Sequence, residues 1–170
     1  MPPLPWLRCC LRNPFGSGIT AGDTGILLQN RAQDFSLDSN HVNRIEPGKR
    51  TMHTLNPAMV LKDGRLYMGI GCSGAHQQTQ AIQQVLVNHI DFDMDIQDAI
   101  EAPRWGMVGQ SLHVEGRMPE AARKGLEAKG HKVVVGRASF GGCHAVVVDQ
   151  ATGARLGGAE SRIDSAALGY

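Results

Sequence analysis

Residues 58–75 of this 170-residue chain, AMVLKDGRLYMGIGCSGA, carry the pattern that decides the fold. Two apolar runs, residues 58–62 and 66–70, lie on either side of Asp63-Gly64. Asp-Gly between two such runs is a strong signal for a β-hairpin, because both central turn positions tolerate a positive φ. The second run ends in the glycine turn, which we define as Gly71-Cys72-Ser73-Gly74-Ala75. The pattern predicts an antiparallel hairpin, then the glycine turn, then a helix.

The rest of the chain groups its helices together and has strands on both sides of them. Ile82, Val85 and Leu86 fall at helical spacing after the glycine turn. Asp95 is placed to cap a second helix, and Pro119 fits the first turn of a third. The order of strands, helices and strands predicts an α+β protein in which helices pack on a mostly antiparallel sheet. The predicted elements are a buried strand at residues 25–29, a polar loop at 33–48, helices at 76–88, 95–102 and 119–130, and strands at 133–135, 145–148 and 156–159.

Composition and charge argue against several classes of protein. The sequence has 17 basic and 16 acidic residues and no block of like charge, so neither nucleic acid nor a membrane is indicated as a partner. The seven histidines show neither an i, i+4 pair nor a zinc-type spacing with cysteine, so we predict no metal and no cofactor. The four cysteines show no disulfide framework, and we expect free thiols. They are Cys9, Cys10, Cys72 and Cys143.

The first twelve residues do not read as a signal peptide. They contain three prolines and lack a sustained apolar stretch and a small-residue cleavage site. We interpret residues 1–12 as an irregular lead-in and residues 13–170 as one domain.

The glycine turn is the best candidate for chemistry. Its small residues let a substrate approach the main chain, and the helix that follows adds unpaired N–H groups and a positive dipole end. Such a turn can hold a carboxylate or a developing oxyanion, although a tight strand-to-helix turn with no ligand fits the same residues. Cys72 within the turn is interpreted as a buried, inert thiol, with a reactive thiol as the alternative.

Three further side chains are candidates for binding a substrate. Asp34 could pair with an ammonium group, and the alternative is an exposed loop acid or a helix cap. His53 and Thr54 offer an imidazole and a hydroxyl just before a predicted strand, although these residues taken alone favour a loop histidine that only satisfies local hydrogen bonds.

Five stretches share their order with a known family, and they cover nearly the whole chain from Asn13 onward. Ordered matches over this length are more specific than any single glycine motif. The stretches are residues 13–19 (NPFGSGI), 25–30 with 34–36 (GILLQN and DFS), 47–57 (PGKRTMHTLNP), 91–99 with 102–105 (DFDMDIQDA and APRW) and 161–170 (SRIDSAALGY). On these residues the chain resembles the small, catalytic subunit of the gamma-glutamyltransferase family, whose members are N-terminal-nucleophile hydrolases.

The resemblance implies a stacked α-β-β-α sandwich, which is incomplete here, and a precursor that cleaves itself into a large and a small subunit. It implies γ-glutamyl acyl transfer from glutathione-type amides to water or an amino acid, through a threonine that becomes the new N-terminus. By position, Asp34 would hold the α-amino group of the substrate, and His53 and Thr54 would hold its α-carboxylate. Gly74 and Ala75 would form the oxyanion hole through their backbone N–H groups.

The sequence departs from the family pattern at several positions. Arg12 stands where many members have a substrate-binding asparagine, and Arg31 stands where an acidic or amide side chain often assists Asp34. The pair His53-Thr54 replaces two serines, and Ala75 replaces a glycine, which indicates a divergent branch. An acylase of the cephalosporin-acylase type therefore stays open as an alternative.

The nucleophile is the largest departure from the family pattern. By the resemblance, both the threonine and the first strands of the catalytic sheet precede the first residue of this chain. We therefore expect the chain to be inactive alone and to need the large subunit of the same precursor. A non-catalytic fragment that binds glutamate-like ligands is the other hypothesis.

Overall fold

The computed structural model describes residues 10–136 and 140–169, and the chain divides into two compact units, residues 1–55 and 56–170. Most of the predicted lead-in, residues 1–9, lies outside the described residues. The second unit contains all of the regular strands and α-helices of the described chain. The strands are β1 (Ala58–Lys62), β2 (Arg65–Ser73), β3 (Trp105–Val108), β4 (Ser111–Val114), β5 (Val133–Val135), β6 (Gly142–Val148) and β7 (Arg155–Gly158). The helices are α1 (Gln78–Ile90), α2 (Ile96–Glu101) and α3 (Glu120–Ala128).

A four-stranded antiparallel sheet in the order β1-β2-β6-β7 forms the centre of the second unit. The predicted hairpin is confirmed: β1 pairs with β2, and Asp63 and Gly64 between them have φ values of 51° and 73°. Both values lie in the left-handed region that a two-residue hairpin turn of this type requires. The turn residues therefore fix the register beside the turn, where Lys62 pairs with Arg65, and the register shifts between Leu61 and Val60.

Helices α1 and α2 cover one face of this sheet. Apolar side chains of α1 and α2 pack against Met68 and Ile70 of β2 and Val147 of β6 in one buried cluster. Asp95 caps α2, since its side chain accepts a hydrogen bond from the backbone N–H of Gln97 at 2.8 Å. One helical layer on one sheet is half of an α-β-β-α sandwich, so the prediction of an incomplete α+β fold is confirmed within the described residues.

A second, three-stranded sheet contains the predicted strand at residues 133–135, but its other two strands and their pairing were missed. Its order is β3-β4-β5, and β4 pairs with β5 in parallel, whereas the other pairs are antiparallel. Strands β3 and β4 have only four residues each and contain Gly106 and His113, so they lack a β-branched run that would identify them. Leu112, Val114 and Met118 form the small apolar cluster beneath this sheet.

The prediction of a buried strand at residues 25–29 was wrong. In the first unit this segment forms one isolated bridge, between Thr20 and Leu27, and Ile26 is 64% exposed. Within the described residues it pairs along one side only, with residues 17–21, through bonds such as that from the Leu28 N–H to the Ile19 carbonyl at 2.8 Å. An apolar run without cover on both faces stays exposed, whatever its propensity.

Helix α3 provides a test of backbone conformation. Gly125 lies inside the helix, and a Cβ added there would meet nothing within 4 Å, so Gly125→Ala should raise the free energy of unfolding by about 0.5–1 kcal/mol through helix propensity. Gly130, just beyond the helix, has equally open space but a φ of +90°, so Gly130→Ala should destabilise the protein. Urea unfolding of both variants measures the two effects, and an equal response at the two sites would contradict the conformational argument.

Candidate active site

The first unit contains an ionic cluster, which we name the Asp34 cluster and define as Arg12, Arg31, Asp34 and Thr54. Arg12 Nε lies 3.0 Å from both carboxylate oxygens of Asp34, and one terminal nitrogen of Arg12 lies 2.7 Å from Oδ1. Arg31 donates from Nη1 to Oδ2 of Asp34 and to Oγ1 of Thr54, each at 3.1 Å. The structure therefore brings together four residues that the sequence analysis named as candidates for substrate binding.

The local backbone explains how these side chains meet. A single 3₁₀ turn, Arg31–Asp34, places its first and last side chains on the same side. The backbone N–H of Asn30 donates to the Leu11 carbonyl at 3.1 Å, which holds the segment carrying Arg12 alongside. Arg12 itself has a φ of 77°, a left-handed conformation that is disfavoured for residues other than glycine.

Burial and charge set the electrostatics of the Asp34 cluster. The side chains of Arg31 and Asp34 are 6% and 9% exposed, whereas that of Arg12 is 27% exposed. Hydrogen bonds from Arg12 lower the pKa of Asp34, burial opposes them, and hydrogen bonding from Arg31 adds to the lowering. Asp34 is therefore ionised at neutral pH, and two guanidinium groups around one carboxylate leave a net positive charge.

His53 is not part of these contacts. The side chain is exposed, and its Nδ1 accepts a hydrogen bond from the backbone N–H of Leu55 at 3.4 Å. Its neighbour Thr54 is half-buried and bonded to Arg31. A role for His53 in binding a carboxylate stays a prediction.

The glycine turn lies in the second unit: its first three residues are the end of β2, and Gly74 and Ala75 lead toward α1. Gly74 and Ala75 have φ values of 113° and 50°, and a 3₁₀ turn, Ala75–Gln77, leads directly into α1. The backbone N–H of Gln77 donates to the Gly74 carbonyl at 2.9 Å, and no side chain of the described residues caps this turn. The first backbone N–H groups of a helix lack intrahelical partners and can bind an anion.

The inside of the glycine turn is closely packed. Cys72 is 2% exposed and lies opposite Cys143 in the β2–β6 pair. The Cys72 thiol donates to the Ser73 carbonyl at 3.1 Å. Cys72 is therefore buried as predicted, and its inertness stays a prediction. A Cβ on Gly74 would lie 2.7 Å from the Cα of Gly141, so the two backbones touch here.

A buried ionic network beneath the sheets was missed by the sequence analysis. Glu160 is 1% exposed and binds Arg104 at 2.8 Å, Arg162 at 2.6 Å and the backbone N–H of Cys143 at 2.9 Å. Arg162 also pairs with Glu115 at 2.5 Å. Charged residues are rarely interior, so no periodic pattern identifies them, and only their place within the stretches resembling the family marks Arg104 and Arg162.

The second unit also has a groove of about 490 Å³, and the sequence analysis did not anticipate it. Tyr67 and His89 line it with stacked rings whose centroids are 5.8 Å apart. His89 Nδ1 donates to the Met94 carbonyl at 2.8 Å, and Nε2 lies 2.8 Å from the Tyr67 hydroxyl. Because both ring nitrogens are engaged, this histidine is held in one orientation and supports the wall of the groove.

The described residues contain neither a metal-binding group nor a membrane-spanning helix. Among residues 10–136 and 140–169, no three histidine, cysteine or acidic side chains are grouped so that they could hold a metal ion. No helix in this part of the chain combines the length and the apolar character needed to cross a membrane.

The layered sheet and helices, with a strand running into an uncapped glycine turn, define the class as an N-terminal-nucleophile hydrolase fold. The structure superposes on cephalosporin acylase from Bacillus halodurans with a TM-score of 0.84 and 38% identity, covering 94% of this chain and 31% of that chain. The sequence pattern of the family described as Gamma-glutamyltranspeptidase matches residues 10–170. The chain belongs to the gamma-glutamyltranspeptidase family.

Two relatives illustrate the range of this family. The chain is 46% identical over 164 residues to the glutathione hydrolase-like YwrD proenzyme of Bacillus subtilis, covering 91% of this chain and 31% of that protein. It is 38% identical over 166 residues to the oxamate amidohydrolase proenzyme of Klebsiella pneumoniae, covering 92% of this chain and 31% of that protein. The chain thus spans about 31% of the length of these relatives, both of which are proenzymes.

Proposed function

We propose that the whole protein cleaves amides by acyl transfer to water or to an amine, and that residues 13–170 form its small-subunit domain. The observation that carries this proposal is the glycine turn, where Gly74 and Ala75 present left-handed backbone at the start of a helix with no capping side chain. In this proposal their N–H groups stabilise the oxyanion of a tetrahedral intermediate. An N-terminal threonine outside these residues attacks the amide, with its own amine as the base.

The first candidate substrates are γ-glutamyl amides of the glutathione type. Family membership supports them, since the relative from Bacillus subtilis is named glutathione hydrolase-like. Asp34 would then hold the α-amino group, and Thr54 and His53 would hold the α-carboxylate. A large subunit of the same precursor is the proposed partner, because the chain spans about 31% of its proenzyme relatives.

An acylase or amidohydrolase acting on another acyl group is the second candidate. The likeness to oxamate amidohydrolase and to a cephalosporin acylase, each at 38% identity, favours it. So do Arg12 and Arg31, because they surround Asp34 with positive charge. The two candidates differ in the group that the Asp34 cluster contacts.

The proposed activity is tested with the full-length protein after it has cleaved itself. We expect release of p-nitroaniline from γ-glutamyl or other acyl p-nitroanilides, and a burst in the first turnover if deacylation is slow. The 170-residue chain alone should show no turnover, because it spans only about a third of the relatives' length. If the full-length protein binds glutamate but cleaves no amide and forms no acyl-enzyme, it is a binding protein and the proposal fails.

A further inference from the structure

We propose that Arg12 and Arg31 make the Asp34 cluster a carboxylate-binding site that rejects ammonium, so that the preferred substrates are amides of dicarboxylic acids without an α-amino group. This inference rests on the proposed function, because it names the acyl group that the same enzyme would take. It concerns side chains of the first unit alone.

Guanidinium groups occupy most of the hydrogen-bonding capacity of the Asp34 carboxylate. An ionised carboxylate has about four lone-pair positions. Three N–H groups reach it: Arg12 Nε, shared between the two oxygens at 3.0 Å, Arg12 Nη2 to Oδ1 at 2.7 Å, and Arg31 Nη1 to Oδ2 at 3.1 Å. A substrate ammonium would have to compete with these guanidinium groups for the carboxylate.

The Asp34 cluster carries a net positive charge. Arg12 and Arg31 contribute two positive charges against the single negative charge of Asp34, and the other side chains in hydrogen-bond contact are neutral. Those neutral groups are Asn13 beside Arg12, and Thr54 and the Cys10 thiol beside Arg31. At short range in a poorly hydrated site, a net positive cluster attracts a carboxylate and repels an ammonium.

The guanidinium group of Arg12 is accessible to a ligand carboxylate. Arg12 is 27% exposed, so its guanidinium can reach a ligand, while buried Arg31 holds Asp34 and Thr54 in place. Arg12 uses Nε and Nη2 on Asp34 and Nη1 on Asn13, which leaves one hydrogen on each terminal nitrogen for the two oxygens of a ligand carboxylate. The Thr54 hydroxyl accepts from Arg31 and keeps its own proton available to donate to the same carboxylate.

Glutaryl and γ-glutamyl p-nitroanilides test this inference directly, because they have the same chain length and differ only in the α-ammonium group. For the self-cleaved full-length protein we expect kcat/KM to be about tenfold or more higher for the glutaryl amide. The reason is that repulsion of the α-ammonium group lowers kcat/KM for the γ-glutamyl amide by at least that factor. The variant Arg12→Gln removes the exposed charge and should reduce this preference by about tenfold. Arg44→Gln is the matched control, because Arg44 is an exposed arginine of the same unit that pairs with Glu46 and lies outside the cluster.

Binding by calorimetry separates this inference from the proposed activity. Glutarate should bind the full-length protein more tightly than L-glutamate, and Arg12→Gln should reverse or remove that order even if no amide is cleaved. Arg31→Lys keeps the charge within the cluster and should keep the preference for glutarate. Tighter binding of glutamate, a preference unchanged by Arg12→Gln, or no binding of either acid would overturn the inference. Loss of turnover with glutarate binding intact would contradict only the proposed activity.

Discussion

Glu160→Gln should lower the free energy of unfolding by about 3–5 kcal/mol, the cost of leaving a buried charge without its partner. Glu160 is 1% exposed and Arg104, its partner at 2.8 Å, is also 1% exposed. The amide of glutamine can accept one hydrogen bond from Arg104 or Arg162, but it cannot neutralise either charge. The measurement is urea or thermal unfolding of the full-length protein carrying the substitution.

A matched control distinguishes burial from the loss of a carboxylate as such. Glu120 pairs with Lys124 across one helical turn, and both side chains are more than two-thirds exposed, at 68% and 71%. Glu120→Gln should change stability by no more than about 0.5 kcal/mol, because exposed pairs contribute little. A similar loss at both sites would show that the network around Glu160 contributes no more than a surface ion pair.

The same network predicts how stability depends on pH. Burial would raise the pKa of Glu115, but hydrogen bonds from Arg162, the Arg104 backbone N–H and Arg117 outweigh it and lower the pKa to about 2. The pKa of Glu160 is also lowered, since hydrogen bonds from Arg162 and Cys143 outweigh the opposite effect of burial.

Because both folded-state pKa values lie below the ordinary value of 4.5, the stabilisation is present above that value and is lost as pH falls from about 5 toward 2. Unfolding of the unmodified protein at pH 6 and pH 3 should show this loss. Glu160→Gln should show a shallower dependence over the same range, and an unchanged slope would contradict the assignment.

The sequence predicted those parts of the fold that depend on local patterns. Asp63-Gly64 predicted the β1–β2 hairpin, because the turn conformation depends on two adjacent residues that tolerate a positive φ. The periodicity after the glycine turn predicted α1, and Asp95 marked the start of α2. The features that it missed depend on partners distant in sequence, such as the parallel pairing of β4 with β5 and the burial of Glu160.

The candidate site shows the same division. Single residues and the resemblance to a family suggested Asp34, Thr54, Gly74 and Ala75 as candidates. The sequence could not show that Arg12 and Arg31 both bind the carboxylate of Asp34. Arg12 lies 22 residues before Asp34 and Arg31 lies three residues before it, so the contact of all three depends on the folded chain. The charge of that cluster, which bears on the choice between the two candidate substrates, is therefore a property of the folded chain.

Gly74→Ala should abolish turnover by the full-length protein while the polypeptide still folds. Gly74 has a φ of +113°, and an added Cβ would lie 2.7 Å from the Cα of Gly141, which belongs to a backbone that cannot move aside as a side chain would. The turn must therefore shift, which moves the N–H groups that the proposed mechanism places at the oxyanion. Removing one such donor costs about 10²–10³ in kcat, and a displaced turn removes two.

Ala75→Gly is the matched control for this turn, because it changes the neighbouring residue in the opposite sense. Ala75 has a φ of 50°, a left-handed conformation that costs alanine about 1–2 kcal/mol and glycine almost nothing. We therefore expect Ala75→Gly to keep the turn in place and to retain activity within about threefold, far inside the effect of losing an oxyanion donor. Measuring kcat and self-cleavage for both variants separates a shifted oxyanion hole from a general loss of structure. Full activity in Gly74→Ala would show that the glycine turn takes no part in catalysis, and the proposed function would then lose the observation on which it stands.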